Sequence, residues 1–159
     1  MTPEDVARLH AEHGRGLWLF ARTVTRDDHL AEDALQTTFL ALFERPMPPT
    51  RAYLYASVRN AALNLLRSRG RAERRERRSG RTELFEDSGA ASVADREAVE
   101  AALAGLPEEQ REVVVLKVWS GMTFAEIGEA IGAPSNTAAS RYRYALEKLR
   151  RSLSEVPPA

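Results

Sequence analysis

The chain predicts an all-α fold of two small helical domains joined by a flexible linker, on three observations. Apolar residues recur at helical spacing along nearly the whole sequence. No run of alternating β-branched residues marks a strand. A segment rich in Gly, Ser and acids at residues 79–94 divides the 159 residues into parts that can each bury a modest core.

The elements follow in order. Val6, Leu9, Leu17, Phe20 and Val24 fit one face of a first helix. Leu35, Phe39 and Leu42 fit a second, after a turn at Asp27 and Asp28. Pro46, Pro48 and Pro49 stop it, because proline lacks the backbone donor and disfavours helical geometry in the residue before it. A third, long helix is expected from near Thr50 to about Arg78, weakened at Gly70. This first domain spans residues 1–78, the linker 79–94 and the second domain 95–159. In the second domain Leu106, Pro107, Glu108 and Glu109 read as a helix start, with proline in the first turn and acids at the positive end of the dipole. Val114, Val115, Val118 and Trp119 supply the apolar face of that helix, and Gly121 ends it. Thr123 and Glu126 have capping-box spacing, in which hydroxyl and carboxylate satisfy free backbone N–H groups at the start of a short helix. Gly132, Ala133 and Pro134 make a tight turn, and a final helix runs from about Ser135 to Leu153.

A short helix, a glycine-containing turn and a longer basic helix form the outline of a DNA-reading helix-turn-helix. In the last helix Ala138, Tyr142, Ala145, Leu149 and Leu153 fall on one side and are expected to pack inward. Asn136, Thr137, Ser140, Arg141 and Tyr144 remain at the N-terminal end, which in this motif meets base edges. Arginine can reach guanine edges bidentately, asparagine can read adenine, and hydroxyls can contact bases or phosphates. Arg143, Lys148, Arg150 and Arg151 are better placed for phosphates. The plainer reading is a helical hairpin with a solvated basic face; the capping box, the turn and the small residues Ala125 and Gly128 favour DNA.

The third helix carries a second candidate. On a helical wheel Leu54, Val58, Ala61 and Leu65 form a narrow apolar stripe. Tyr53, Ser57, Asn60, Asn64, Arg67 and Arg71 form another, roughly a right angle away. Aromatic, amide and guanidinium groups in line suit a nucleic-acid groove, where arginine holds phosphates, amides read bases and a ring stacks on an unpaired base. The stripe equally fits a polar face at the boundary of the core, and spacing alone leaves the two open.

Charge points the same way once its distribution is considered. The total is balanced, 23 basic against 23 acidic residues. Residues 67–81 nevertheless hold eight Arg against two Glu, net +6, and residues 82–112 hold two basic against nine acidic groups, net −7. Residues 135–153 are net +4. Opposite blocks of this size suggest that 82–112 lies against the Arg67–Arg81 or Arg141–Arg151 surface in the free protein. With no cysteine, disulfides and thiolate metal sites are excluded. His10, His13 and His29 are dispersed without metal-ligand spacing, so neither metal nor cofactor is expected. No nucleophile–base pair or Gly-rich phosphate loop appears, and no enzymatic activity is expected. The charged N-terminus has no apolar signal region and no stretch approaches a membrane span, which leaves a cytoplasmic protein as the expectation.

Four segments together resemble a known family. LPEEQREVVVLK at 106–117 and MTFAEIGEAIGAPSNTAASRYRYALEKLRRSL at 122–153 look like region 4 of the sigma-70 family. AEDALQTTFLALFE at 31–44 and AYLYASVRNAALNLLRSR at 52–69 look like region 2, as found in the small two-domain members of the extracytoplasmic-function (ECF) type. The resemblance implies an alternative sigma factor that joins core RNA polymerase and directs it to promoters. It implies that Asp33 and Gln36 meet the clamp helices of the polymerase β′ subunit. It implies that Asn60 captures a flipped −10 base, with Asn64 one turn later and Tyr53 and Tyr55 in the preceding aromatic positions. Ser140, Arg141 and Arg143 match the motif that reads the −35 element, in a domain that also touches the β flap. Family members are commonly held by an anti-sigma factor. Thr37 and Ala34 depart from the usual polymerase-contact pattern, and Ala139 and Tyr144 from the usual recognition helix, where a changed −35 preference is expected. Two other readings compete: a polymerase-independent helix-turn-helix regulator, and a helical interaction protein whose Arg-rich helix binds an acidic partner.

Overall fold

A computed structural model describes residues 1–72 and 93–154. Among these residues there are seven helices: α1 (Pro3–Thr25), α2 (Asp28–Leu42), α3 (Arg51–Ala72), α4 (Val93–Ala104), α5 (Glu108–Val118), α6 (Phe124–Ile131) and α7 (Ser135–Ser154). None of the described helices is long and apolar enough to cross a membrane.

Local chemistry sets the helix ends. Thr2 and Asp5 form a capping box ahead of α1. Arg26 closes α1 in the left-handed region at φ 57°, its N–H donating to the Arg22 carbonyl. Asp27 then caps α2 by accepting from the Leu30 N–H at 3.0 Å. The Arg69 guanidinium reaches the other Asp27 oxygen at 3.2 Å, tying α3 to the α1–α2 corner. Thr123 and Glu126 form the expected capping box on α6, and Gly132 ends that helix at φ 75°. The Pro46–Pro49 cluster separates α2 from α3 as expected, and the α3 prediction beyond Ala72 lies outside the described residues.

Three features differ from the sequence expectation. Residues 93 and 94, read as linker, already belong to α4, so the second domain gains a helix at its front. Val118 is exposed rather than inward-facing, while Glu112, Val113, Val114, Val115 and Leu116 are all buried. Leu153, expected to pack, is exposed at the end of α7. The α5 result has a simple cause. A helix buried on every side must be covered on every side, and α5 is enclosed by α6 and α7 of its own domain and by α1 of the other.

The two domains therefore pack together, with α3 along α6 and α1 along α5. One hydrophobic cluster runs without a break from Leu17, Phe20 and Leu54 to Val113, Leu116, Met122 and Ile127. The same packing accounts for the C-terminal half of α1, where Leu19, Ala21, Arg22, Thr23 and Thr25 are buried along with the predicted face.

Candidate nucleic-acid and polymerase interface

Two polar-aromatic surfaces and one acidic-apolar surface stand out. The first lies on α3. Tyr53, Asn60, Asn64 and Arg67 are exposed in one line, as the wheel places them. The Arg45 guanidinium sits 4.2 Å from the Tyr53 ring centroid, a cation–π contact that holds the ring at the foot of α3. Arg67 donates to the Asn64 side-chain oxygen, presetting two neighbouring groups of the stripe. Arg71 closes the expected stripe, but its side chain lies outside the described atoms.

Tyr55 is not on this surface. Only 3% of it is exposed, and its ring packs on Phe20 with centroids 5.8 Å apart. It falls two residues from Tyr53, which rotates it by about 200° to the opposite side of the helix. That side faces α1 and the second domain, where a Cβ added at Gly16 would run into the Tyr55 hydroxyl. Burial pushes the Tyr55 phenol above its usual range, with the neighbouring Ser120 hydroxyl and Arg51 opposing. Assignment of Tyr55 to a DNA surface is thus corrected: it is a packing residue of the interface between domains.

The second surface is the front of α7. Asn136, Arg143, Tyr144 and Lys148 are exposed, and Thr137, Ser140 and Arg141 are half-buried. Arg143 donates toward the Ser140 hydroxyl at 3.5 Å and lies 5.8 Å from the Tyr144 ring. Ala138 and Ala145 are fully buried against the preceding helices, which fixes the rotation of α7 and turns these polar groups outward. Arg141 pairs with Glu109 at 3.7 Å.

The third surface is α2. Asp33, Gln36 and Thr37 are exposed, and Ala34 is fully buried beneath them. Alongside lie Leu40, 67% exposed, and Phe43, 44% exposed. A groove lined by His10, Glu32, Leu35, Gln36, Phe39, Leu40 and Phe43 joins these groups. Leu40 and Phe43 are thus exposed apolar side chains in the same groove as the Glu32 carboxylate.

The seam between domains was not legible in the sequence. The Arg51 guanidinium donates to both Glu126 oxygens, at 3.1 and 2.8 Å, and to the Ser120 carbonyl at 3.1 Å. Arg59 donates to both oxygens of buried Glu112, at 2.7 and 3.3 Å. Of the acidic block expected against Arg67–Arg81 or Arg141–Arg151, Glu109 meets Arg141 within the second domain, and Glu112 crosses to Arg59 of the first; Arg71–Arg81 lie outside the described side chains. The block's acids between 82 and 92 lie outside the described residues.

Hydrogen bonds from Arg51 and from the Thr123 backbone hold the Glu126 carboxyl down at about 2. A carboxylate whose pKa is depressed on folding stabilises the fold fully above its unfolded value of 4.5 and loses that contribution as pH falls toward 2. Burial pushes Glu112 the other way. Comparison of wild type with Glu126→Gln in urea titrations at several pH values isolates the first effect. The variant is expected to show a flatter fall in stability between pH 4.5 and 2. Parallel curves would place the acid sensitivity elsewhere.

Comparison with known proteins bears on all three surfaces. The family description "Sigma-70 region 2" matches residues 9–72, and "Sigma-70, region 4" matches residues 96–149. The chain belongs to the sigma-70 family. It is 31% identical to the ECF RNA polymerase sigma factor SigL of Mycobacterium tuberculosis, over 93% of this chain and 88% of that protein. It is 33% identical to the RNA polymerase sigma factor CarQ of Myxococcus xanthus, over 96% of this chain and 90% of that one. The structure of CnrH in complex with the cytosolic domain of CnrY shares 27% identity at a TM-score of 0.68, covering 96% of this chain and 89% of that one. The sigma factor RpoE of Bartonella quintana, solved with the anti-sigma factor NepR, shares the fold at a TM-score of 0.72 and 22% identity, over 97% of this chain and 99% of that one. The chain is an alternative sigma factor of the ECF type. Helix α3 and the surface of α2 fall in region 2, and the helix-turn-helix α6–α7 falls in region 4.

Proposed function

We propose that this sigma factor docks on core RNA polymerase through α2, reads a −35 element with the front of α7, and captures unstacked −10 bases along α3. The observation that carries the reading is the pair of outward polar-aromatic stripes, one on a helix of region 2 and one on the recognition helix of region 4, in a single chain. Asn136, Thr137, Ser140 and Arg141 lie where base edges are met, while Arg143 and Lys148 lie toward phosphates. Asn60 supplies the amide that pairs with a base turned out of the stack. Tyr53 supplies a ring for stacking, and Arg67 a phosphate contact. Asp33 and Gln36 with Leu40 and Phe43 form the polymerase-facing patch, and the β flap is the partner of region 4. The protein works in the cytoplasm, performs no chemistry of its own and needs no cofactor; polymerase supplies the reaction. One solved relative is bound to the anti-sigma factor NepR and another to the cytosolic domain of CnrY, which supports an anti-sigma partner here.

Reconstitution with core polymerase and mapping of transcripts from genomic DNA tests the reading. Discrete starts sharing a −35/−10 pattern are expected, and failure to bind core would overturn it. Asn60→Ala is expected to slow formation of the open complex by about tenfold or more, since a lost base contact costs about 1–3 kcal/mol. Fluorescence of a 2-aminopurine placed in the −10 strand reports it. Binding to a −35 duplex should not change.

A further inference from the structure

We propose that the junction of α1, α4 and α5 is a binding site for a single phosphate group, held by the guanidiniums of Arg26 and Arg111 beside the buried Arg22. The ligand is a tetrahedral oxyanion, either inorganic phosphate or the terminal phosphate of a small molecule such as a nucleotide. Neither DNA-facing stripe and no part of the α2 patch contributes a residue to it, so the site does not rest on the functional reading above.

A cavity of about 70 Å³ lies at this junction, lined by Arg22 and Arg26 at the end of α1, Glu100 and Leu103 of α4, and Arg111 of α5. One water needs about 10–15 Å³ of such space, so the cavity takes about five to seven, the room that one phosphate group fills. Three guanidiniums face it, and Glu100 is the only acid in the lining. The cavity is open to solvent. Arg26 is its exposed member, while Arg22 is 4% exposed and belongs to its inner wall.

Two of the three arginines also have structural work. Arg22 donates through Nε to Asp28 at 2.5 Å, which fixes its guanidinium at the wall. Arg111 donates through Nε to the Leu103 carbonyl at 3.0 Å and through Nη2 to the carbonyls of Ala104 and Leu106 at 3.3 and 2.9 Å. These carbonyls end α4 and would otherwise turn negative charge toward the cavity. Nη1 of Arg111 makes no hydrogen bond among the described residues. Arg26 has no such work. Its backbone closes α1 at φ 57°, the one positive φ outside glycine among the described residues, at a position where glycine is the usual choice. No carboxylate of the described residues pairs with its guanidinium. Capping of helix ends therefore accounts for Arg22 and Arg111 but not for an arginine at position 26.

The charges show what the cavity selects. Burial first, and then the Arg26 charge, hold the Arg111 guanidinium below its usual range, with Glu108 and Glu112 opposing. The two cations thus repel each other across the cavity, and an anion between them turns that repulsion into two attractions. A guanidinium fork matches a tetrahedral oxyanion, since paired N–H groups meet paired oxygens in charge-assisted hydrogen bonds. Glu100 sets a threshold. It offsets one positive charge of the lining, so a carboxylate with a single charge gains little, and a phosphate with nearly two gains more.

Calorimetric titration of the full chain with sodium phosphate, at an ionic strength held constant with chloride, tests the site. One saturable site per chain is expected, with no saturable binding of acetate. Arg26→Gly keeps the left-handed helix end and removes only the guanidinium, and it should weaken phosphate binding at least about tenfold. Arg8→Ala removes an exposed arginine elsewhere on α1, one paired with Asp5, and should leave binding unchanged. Circular dichroism confirms the fold of each variant. If Arg26→Gly is unfolded, Arg26→Asn, which also tolerates the left-handed region, replaces it. Titration with ADP and with adenosine separates the two sources of the phosphate. ADP binding more tightly than phosphate, with adenosine silent, supports a group carried by a larger molecule; equal affinities support the inorganic ion. Absence of saturable phosphate binding overturns the site. So does wild-type affinity in a folded Arg26→Gly protein, which would place the phosphate on other arginines and leave Arg111 as a helix cap alone.

Discussion

Phe20→Ala is expected to cost about 3–5 kcal/mol, a large part of the stability of a protein this size. Phe20 is fully buried, and it lies where α1, α3 and the seam meet, with its ring on Tyr55. Truncation removes apolar contact and leaves a cavity that three packed helices cannot close by small shifts. A melting temperature lower by roughly 10 °C follows at about 2–4 °C per kcal/mol. The two tryptophans make the experiment more informative. Trp18 is in α1 and Trp119 at the end of α5, so each half carries one probe. With single-tryptophan variants, the urea midpoint at Trp18 should fall by the full amount. The midpoint at Trp119 should follow only as far as docking couples the halves. An unchanged Trp18 midpoint would show that the core tolerates the cavity.

That coupling also explains which parts of the fold were legible in the sequence. Helical spacing locates the apolar stripe of α3, the capping box at Thr123 and the turn at Gly132, because each depends on residues a few positions apart. Periodicity assumes one buried face per helix. It fails where a second domain covers the remaining face, and so it misses Val113 and Leu116 and turns Val118 inward, while Tyr55 is put on the DNA side by the family resemblance and not by the wheel. Helix α4 went unread for another reason. Its alanines and acids have no strong apolar stripe of their own and resemble the linker before them; only Ala102 and Leu103 are buried. The pairs Arg59–Glu112 and Arg51–Glu126 join residues 53 and 75 positions apart, a separation at which charge blocks give a sign but no partner.

The candidate surfaces were more legible than the seam because they are local. The α7 front follows from the inward alanines, and the α3 stripe from a single wheel. What the fold adds is independence. The seam uses Arg51, Tyr55 and Arg59, while the exposed stripe holds Tyr53, Asn60, Asn64 and Arg67, so the two sets occupy different faces of one helix. Substitutions on one face can thus alter the packing between the domains without touching the exposed stripe, and the reverse.

Gly128→Ala is expected to weaken binding to a −35 duplex by about 100-fold, the loss of base contacts worth about 1–3 kcal/mol each. Ordinarily the change would stabilise a helix by up to about 1 kcal/mol, since alanine has the higher propensity. Here the neighbour decides the sign. A Cβ at Gly128 would stand 2.5 Å from the Ala133 carbonyl oxygen and 3.4 Å from the backbone at Pro134 and Ser135. None of these is the end of a flexible side chain. They form the turn that folds back over α6, with the Gly132 and Ala133 N–H groups both donating to the Gly128 carbonyl. To admit the methyl group, the turn must lift, and α7 moves with it, carrying Asn136, Ser140 and Arg141 off their register with the groove. Helical content should hardly change, because α6 and α7 each keep their own hydrogen bonds. Capture of −10 bases by α3 should be intact. Gly70→Ala, with nothing within 4 Å of the added Cβ, is the matched control. A Gly128→Ala protein that binds the −35 duplex as wild type does would mean that the turn shifts without moving the recognition helix.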